Sequence, residues 1–218
     1  MTGRASSLPS LPASTPAWPP QPPLVAILRG LLPLQARDAG EVLLQAGFRA
    51  IEVPLNRPGA LECIEILARL APPDAVVGAG TVLEPAQVDA VSAAGGSLIV
   101  MPHADTALIR HAVGRGLRVA PGVFTATEAF AALRAGAHAL KLFPAEALGP
   151  AGLKALATVL PPGTPLWPVG GVSPENLPAW RAAGATGFGI GGALFRPEAG
   201  LEALRRQAEA FMRAWQAG

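Results

Sequence analysis

The chain has no tyrosine, one cysteine and only two lysines among its 218 residues. A lone cysteine, Cys63, excludes a disulfide within the chain and fits a reducing, cytoplasmic setting. Cys63 sits with Leu61, Ile64 and Leu67 on the apolar face of a helical pattern, where a buried structural thiol is the expected role. Half the residues are hydrophobic, yet no run reaches the roughly 18 consecutive apolar residues of a membrane span. The net charge is only +2. Its basic residues form no dense stripe with interleaved aromatics, so nucleic acid is not an expected partner. The three histidines, His103, His111 and His138, are dispersed and lack metal-ligand spacing, so no metal and no cofactor is expected.

The N-terminal 22 residues lack the apolar core of a secretory signal. They are rich in Pro, Ser and Ala, with prolines at 9, 12, 16, 19, 20 and 22. This composition cannot pack a core, and residues 1–22 are read as a disordered arm ahead of one domain over 23–218.

From Leu24 the pattern changes. Short apolar runs alternate with helical stretches: Leu24–Leu28, Arg49–Pro54, Ala75–Thr81, Ser97–Met101, Leu117–Ala120, the run through Lys141, Pro165–Val169 and Thr186–Gly191. Several helices stop at an Ala-Gly pair, as at Ala46-Gly47 and Ala183-Gly184, where a glycine past the last turn is expected. Strict alternation implies a parallel sheet. Eight units in about 195 residues fit a compact (β/α)8 (TIM) barrel of α/β class. A doubly wound open sheet fits less well, because no Gly-x-Gly-x-x-Gly follows the first strand.

With fifteen arginines carrying the positive charge, the two lysines stand out. Lys154 lies in a helical pattern. Lys141 lies between Leu140, Leu142 and Phe143, with Pro144 closing the strand. Desolvation favours the neutral amine, one route to a Schiff-base nucleophile. From these local residues alone, a surface lysine on an edge strand is an equally open reading.

Barrel chemistry sits at the C-terminal ends of strands, and four strands end in Arg29, Glu52, Thr81 and Lys141. Alternation turns Ile51, Val53, Leu140 and Leu142 toward the helices, and Ala50, Glu52, Ala139 and Lys141 inward. The second and sixth strands belong to the same alternating set, so Glu52 and Lys141 share a layer. Val169-Gly170-Gly171 and Gly189-Ile190-Gly191-Gly192 end the last two strands, where barrel enzymes commonly bind phosphate through free N–H groups.

In order along the chain, Val25-Ala26-Ile27-Leu28-Arg29-Gly30, Ile51-Glu52-Val53-Pro54-Leu55-Asn56, Gly78-Ala79-Gly80-Thr81-Val82-Leu83 and Leu140-Lys141-Leu142-Phe143-Pro144 carry a likeness. Together they resemble the class I 2-keto-3-deoxy-phosphosugar-acid aldolases, from about Leu24 to Arg213. The resemblance implies that Lys141 forms the Schiff base and that Glu52 moves protons through a water molecule. Arg29 and Thr81 would hold the pyruvyl end, and Pro102 and Phe143 would wall the site. Gly170, Gly171, Gly191 and Gly192 would line the phosphate pocket. It further implies a phosphorylated 2-keto-3-deoxy sugar acid as substrate, pyruvate and glyceraldehyde 3-phosphate as products, and a homotrimer.

Two departures from the family pattern bear on substrate. Gly191-Gly192-Ala193 lacks the serine the family carries there, so phosphate binding would be weaker or Arg57 would compensate. Val169 favours the galactonate-type substrate or a relaxed enzyme, whereas Phe143-Pro144-Ala145-Glu146 resembles the gluconate-type branch. From another class, the rival is a non-catalytic barrel that binds a phosphorylated ligand and keeps Glu52 and Lys141 as a buried ion pair.

Overall fold

A computed structural model of the chain describes residues 18–217. The elements follow each other as strand and helix: β1 (Leu24–Ile27), α1 (Pro33–Ala46), β2 (Ala50–Pro54), α2 (Ala60–Leu70), β3 (Val76–Gly80), α3 (Pro85–Ala93), β4 (Leu98–Val100), α4 (Thr106–Gly114) and β5 (Arg118–Ala120). Then come β6 (Gly122–Val123), α5 (Ala126–Arg134), β7 (Leu140–Leu142), α6 (Ala145–Ala157), β8 (Leu166–Pro168), α7 (Leu177–Ala182), β9 (Phe188–Ile190) and α8 (Gly200–Gln216).

All paired strands are parallel, in the orders β5-β4-β3-β2-β1-β9 and β6-β7-β8. The chain itself carries the wall from β5 to β6, and a Val169–Gly189 bridge joins β8 to β9. The sheet therefore closes into a barrel with helices outside. The fifth strand of the sequence reading, Leu117–Ala120, is β5, and the wall continues past it as a second segment, β6, set apart because Pro121 between them has no N–H to give the ladder. Its carbonyl still accepts from the Lys141 N–H at 2.9 Å.

Local chemistry sets the helix ends. Asp105 caps α4 by accepting from the Ala107 and Leu108 N–H groups, and Thr125 with Glu128 forms a capping box on α5. Helix α6 starts directly after Pro144 and breaks at Gly149, where φ is 68°. Helix α7 starts only at Leu177, because the Asn176 side chain accepts from the Ser173 N–H and holds 173–176 in a turn.

Side chains divide as strand alternation requires. Ile51, Val53, Leu140 and Leu142 pack outward with the helices, where Phe48, Phe188 and Phe211 are also fully buried. Val25, Ala50, Val76, Leu98, Ala120, Ala139 and Trp167 fill the barrel interior. Cys63 is buried on α2, its thiol donating to the Leu31 carbonyl, and burial pushes its pKa to about 11.

Residues 1–17 of the expected arm lie outside the described residues. Trp18, inside that expected arm, packs against the interior cluster, so the docked chain begins ahead of the boundary at 23. No helix among the described residues is long and apolar enough to cross a membrane.

Tight strand packing makes Gly78 irreplaceable, since a Cβ there would lie 1.8 Å from the Leu98 carbonyl oxygen. Gly78→Ala is expected to destabilise by about 2 kcal/mol or more. Gly114→Ala, at the end of α4 with nothing within 4 Å of the new methyl, should be neutral or stabilising. Denaturant unfolding of the two variants checks this contrast.

Candidate active site

Two charged side chains are buried in the barrel. Glu52 on β2 is 2% exposed and Lys141 on β7 is 8% exposed. They line one cavity of about 10 Å³ with Val25, Ile27, Val100, Ala120, Trp167, Val169 and Gly189. That space is close to the minimum for a single water. Gly80 makes room for the carboxyl: both Glu52 oxygens lie 2.7 Å from where a Cβ at 80 would stand. Among the described residues Glu52 Oε2 has no hydrogen-bond partner. No salt bridge within 4.0 Å joins Glu52 to Lys141. Lys141 Nζ instead lies 4.5 Å from the centroid of the Phe143 ring.

Burial acts on both groups in the direction of neutrality. It raises the Glu52 pKa above its ordinary 4.5, against the opposing pull of Lys141 and then Arg29. It lowers the Lys141 pKa below 10.5, with Glu52 opposing and Arg29 adding to the depression. A neutral amine carries the lone pair needed to attack a carbonyl. A protonated carboxyl beside it can give up a proton, then take one back.

Above this pair a pocket of about 620 Å³ opens at the C-terminal ends of the strands. Ile27, Val169 and Gly189 line both spaces, so the pocket adjoins the cavity that holds the amine. Its walls include Arg29, Phe143, Val169, Gly170, Gly171, Gly191 and Gly192. Gly170 and Gly171 have φ of 106° and 65°, left-handed values that glycine adopts without strain. Asn176 Nδ2 donates to the Gly171 carbonyl at 2.7 Å and steadies that turn.

Thr81 and Pro102 line neither space. Thr81, directly after β3, has φ of 57°, an unusual value for a β-branched residue. The Pro102 carbonyl fills the place a Cβ at Gly122 would take, 2.4 Å away. Arg57 lies elsewhere, in a separate cleft of about 260 Å³ with Leu55, Gly59 and Gln87, because its loop runs outward toward α2 and α3. The expectation that Arg57 replaces the missing serine is corrected accordingly.

Arg196, Ser173 and Glu198 also line the large pocket and went unread in the sequence. Arg196 Nε donates to the Gly192 carbonyl at 3.1 Å, which sets a guanidinium beside the second glycine turn. Its position four residues past Gly192 was the available signal. Among the described residues no three His, Cys, Asp or Glu side chains gather into a metal-binding group. His111 pairs with Asp89 at 2.9 Å, and the His138 ring accepts from the Val119 N–H.

Comparison with known proteins agrees over nearly the whole chain. Residues 22–207 match the KDPG and KHG aldolase family. The 2-dehydro-3-deoxy-6-phosphogalactonate aldolase of Escherichia coli (strain K12) is 47% identical over 198 residues, covering 91% of this chain and 97% of its own. The probable 2-dehydro-3-deoxy-6-phosphogalactonate aldolase of Rhizobium meliloti (strain 1021) is 44% identical over 202 residues, covering 93% and 95%. A solved native KDPGal structure superposes with a TM-score of 0.88 at 47% identity, covering 89% of this chain and 95% of that one.

The buried carboxyl makes stability depend on pH. A folded pKa raised above 4.5 contributes stability that is complete below 4.5 and lost as pH rises through the folded value. Glu52→Gln, which mimics the protonated form, should therefore be more stable than wild type by about 1 kcal/mol or more near pH 8. The difference should vanish near pH 4, and denaturant unfolding at the two pH values measures it.

Proposed function

This chain belongs to the KDPG and KHG aldolase family, and from that membership we propose that it cleaves 2-dehydro-3-deoxy-6-phosphogalactonate to pyruvate and D-glyceraldehyde 3-phosphate through a Schiff base on Lys141. The observation that carries this reading is the buried pair, an amine and a carboxyl both driven toward neutrality at the foot of a pocket large enough for a sugar acid.

In this mechanism the Lys141 amine attacks the C2 carbonyl of the substrate. Glu52 gives a proton to the departing carbinolamine hydroxyl, water leaves and an iminium forms. Glu52, now ionised, takes the proton of the C4 hydroxyl, directly or through one water. The C3–C4 bond breaks, its electrons pass to the iminium nitrogen, and the aldehyde departs. Protonation of the resulting enamine at C3 and hydrolysis return pyruvate and the free amine. Arg29 offers its guanidinium to the substrate carboxylate, Thr81 supports that end from β3, and Phe143 bounds the reacting carbons. Pro102 supports the wall through Gly122 rather than facing the substrate.

The phosphate is held at the far end by N–H groups of the Gly170-Gly171 and Gly191-Gly192 turns, with Arg196 supplying the positive charge. Val169 stands between the amine and that end, where the two C4 epimers differ. An apolar group there withholds a hydrogen bond from the gluconate-type hydroxyl, which favours the galactonate epimer. The assembly is a homotrimer, consistent with large apolar side chains such as Leu34 left exposed on the single chain. The single, buried Cys63 suits a reducing cytoplasm.

Cleavage of the two epimers side by side tests the proposal. The galactonate epimer is expected to react faster, and Val169→Thr to move the ratio of kcat/KM toward the gluconate epimer by about tenfold. In the same assay Lys141→Ala should abolish turnover while still unfolding in one cooperative transition, and Glu52→Gln should slow it by roughly 10²–10⁴-fold. An active Lys141→Ala variant would overturn the assignment.

A further inference from the structure

The barrel interior beneath Lys141 is short of side-chain volume. Ala139 lies just before β7, two residues below Lys141, and Ala50 and Ala120 belong to the same interior cluster. What fills the layer is Trp167, the ladder neighbour of Lys141 on β8, which also lines the cavity shared by Lys141 and Glu52. Beneath Trp167 lies Trp18, which comes from outside the strand–helix repeat. The two rings are 5.1 Å apart and tilted by 39°. Trp18 Nε1 donates to the His138 carbonyl at 3.1 Å, its ring meets the His138 ring edge-on at 6.1 Å, and the Arg118 guanidinium lies 5.8 Å from it. Only one indole therefore separates Trp18 from the reacting pair.

We propose that Trp18 is a positioning residue for Lys141: it plugs the floor of the barrel and shuts bulk solvent out from below the cavity that holds the amine and the Glu52 carboxyl. The floor is closed by apolar surface: Trp18 packs against the interior cluster that holds Val25, Leu98, Ala139 and Trp167. Desolvation is the leading influence on both Lys141 and Glu52, and a cavity shut off from bulk solvent needs closure from below as well as from the pocket side. The charged groups around Lys141 are Glu52 from β2 and Arg29 from the loop after β1. On the Trp18 side stand Arg118 of β5 and His138 before β7; burial and Arg118 both hold the His138 ring toward its neutral form. The other strands facing the cavity, β1, β4, β8 and β9, bring only the uncharged Val25, Ile27, Val100, Trp167 and Gly189.

The link to turnover rests on Lys141 being the nucleophile, but the state of the amine can be read without that assumption. The chain has only two lysines, and Lys154 on α6 is exposed and serves as an internal standard. Trace acetylation of the full chain with acetic anhydride, from neutral to strongly alkaline pH, gives a titration midpoint for each lysine by peptide mass. In wild type the Lys141 midpoint should lie below that of an ordinary lysine. Trp18→Ala should raise the Lys141 midpoint by about one pH unit over that of the wild-type chain. Trp18→Phe keeps an aromatic plug without the indole N–H and should retain the wild-type midpoint. If Trp18→Ala does not fold, Trp18→Leu, which leaves a smaller gap, carries the same test with a smaller rise. A less stable variant whose Lys141 midpoint has not moved would show that Trp18 only braces the fold, and would overturn the proposal. Failure of the aldolase reading itself would appear separately, as loss of no activity in Lys141→Ala.

Discussion

Desolvation of one amine and one carboxyl is the constraint around which this barrel is arranged. A lysine and a glutamate would ordinarily be charged and wet. Here each is inward on a parallel strand, and the walls between them are aliphatic or aromatic. Burial without an ion pair is unfavourable for the fold, since a buried polar atom without a partner costs about 1–3 kcal/mol. The surrounding core absorbs it: the outer cluster between strands and helices spans every helix, with Ile51, Leu140 and Phe188 buried on the strands beneath them. Stability is thus held outside the sheet, and reactivity inside it.

The pocket above the pair divides its labour along its length. Near the amine the lining is side chain: Ile27, Phe143 and Val169. Farther out, two glycine turns bring backbone without Cβ atoms to the wall, beside the side chains of Ser173, Arg196 and Glu198. Glu146, in the first turn of α6, occupies the space that side chains at 170 and 171 would need. Glycine at 170 is therefore demanded twice, by a left-handed φ and by that neighbour.

Alternation of side chains along β2 and β7 was readable because each strand is short, apolar and flanked by clear helix stops. That alone placed Ala50, Glu52, Ala139 and Lys141 inside the barrel, as they are. The continuation of the wall past the fifth strand as β6 was not readable, since Pro121, without an N–H for the ladder, reads in the sequence as the end of the strand. Trp18 was hidden for a different reason. Composition argues that a proline-rich segment cannot build a core, yet one aromatic needs only a prepared surface on which to dock. Arg57 and Arg196 show where strand-end reasoning stops: both follow a strand by a few residues, but loop direction decides which guanidinium reaches the pocket.

Pyruvate and borohydride together put the central claim to its most direct test, because reduction captures a Schiff base as a stable secondary amine. Peptide mass analysis of the treated chain should find the reduced pyruvyl adduct on Lys141 and none on Lys154. An unmodified Lys141, under conditions where the protein turns over its substrate, would contradict the account.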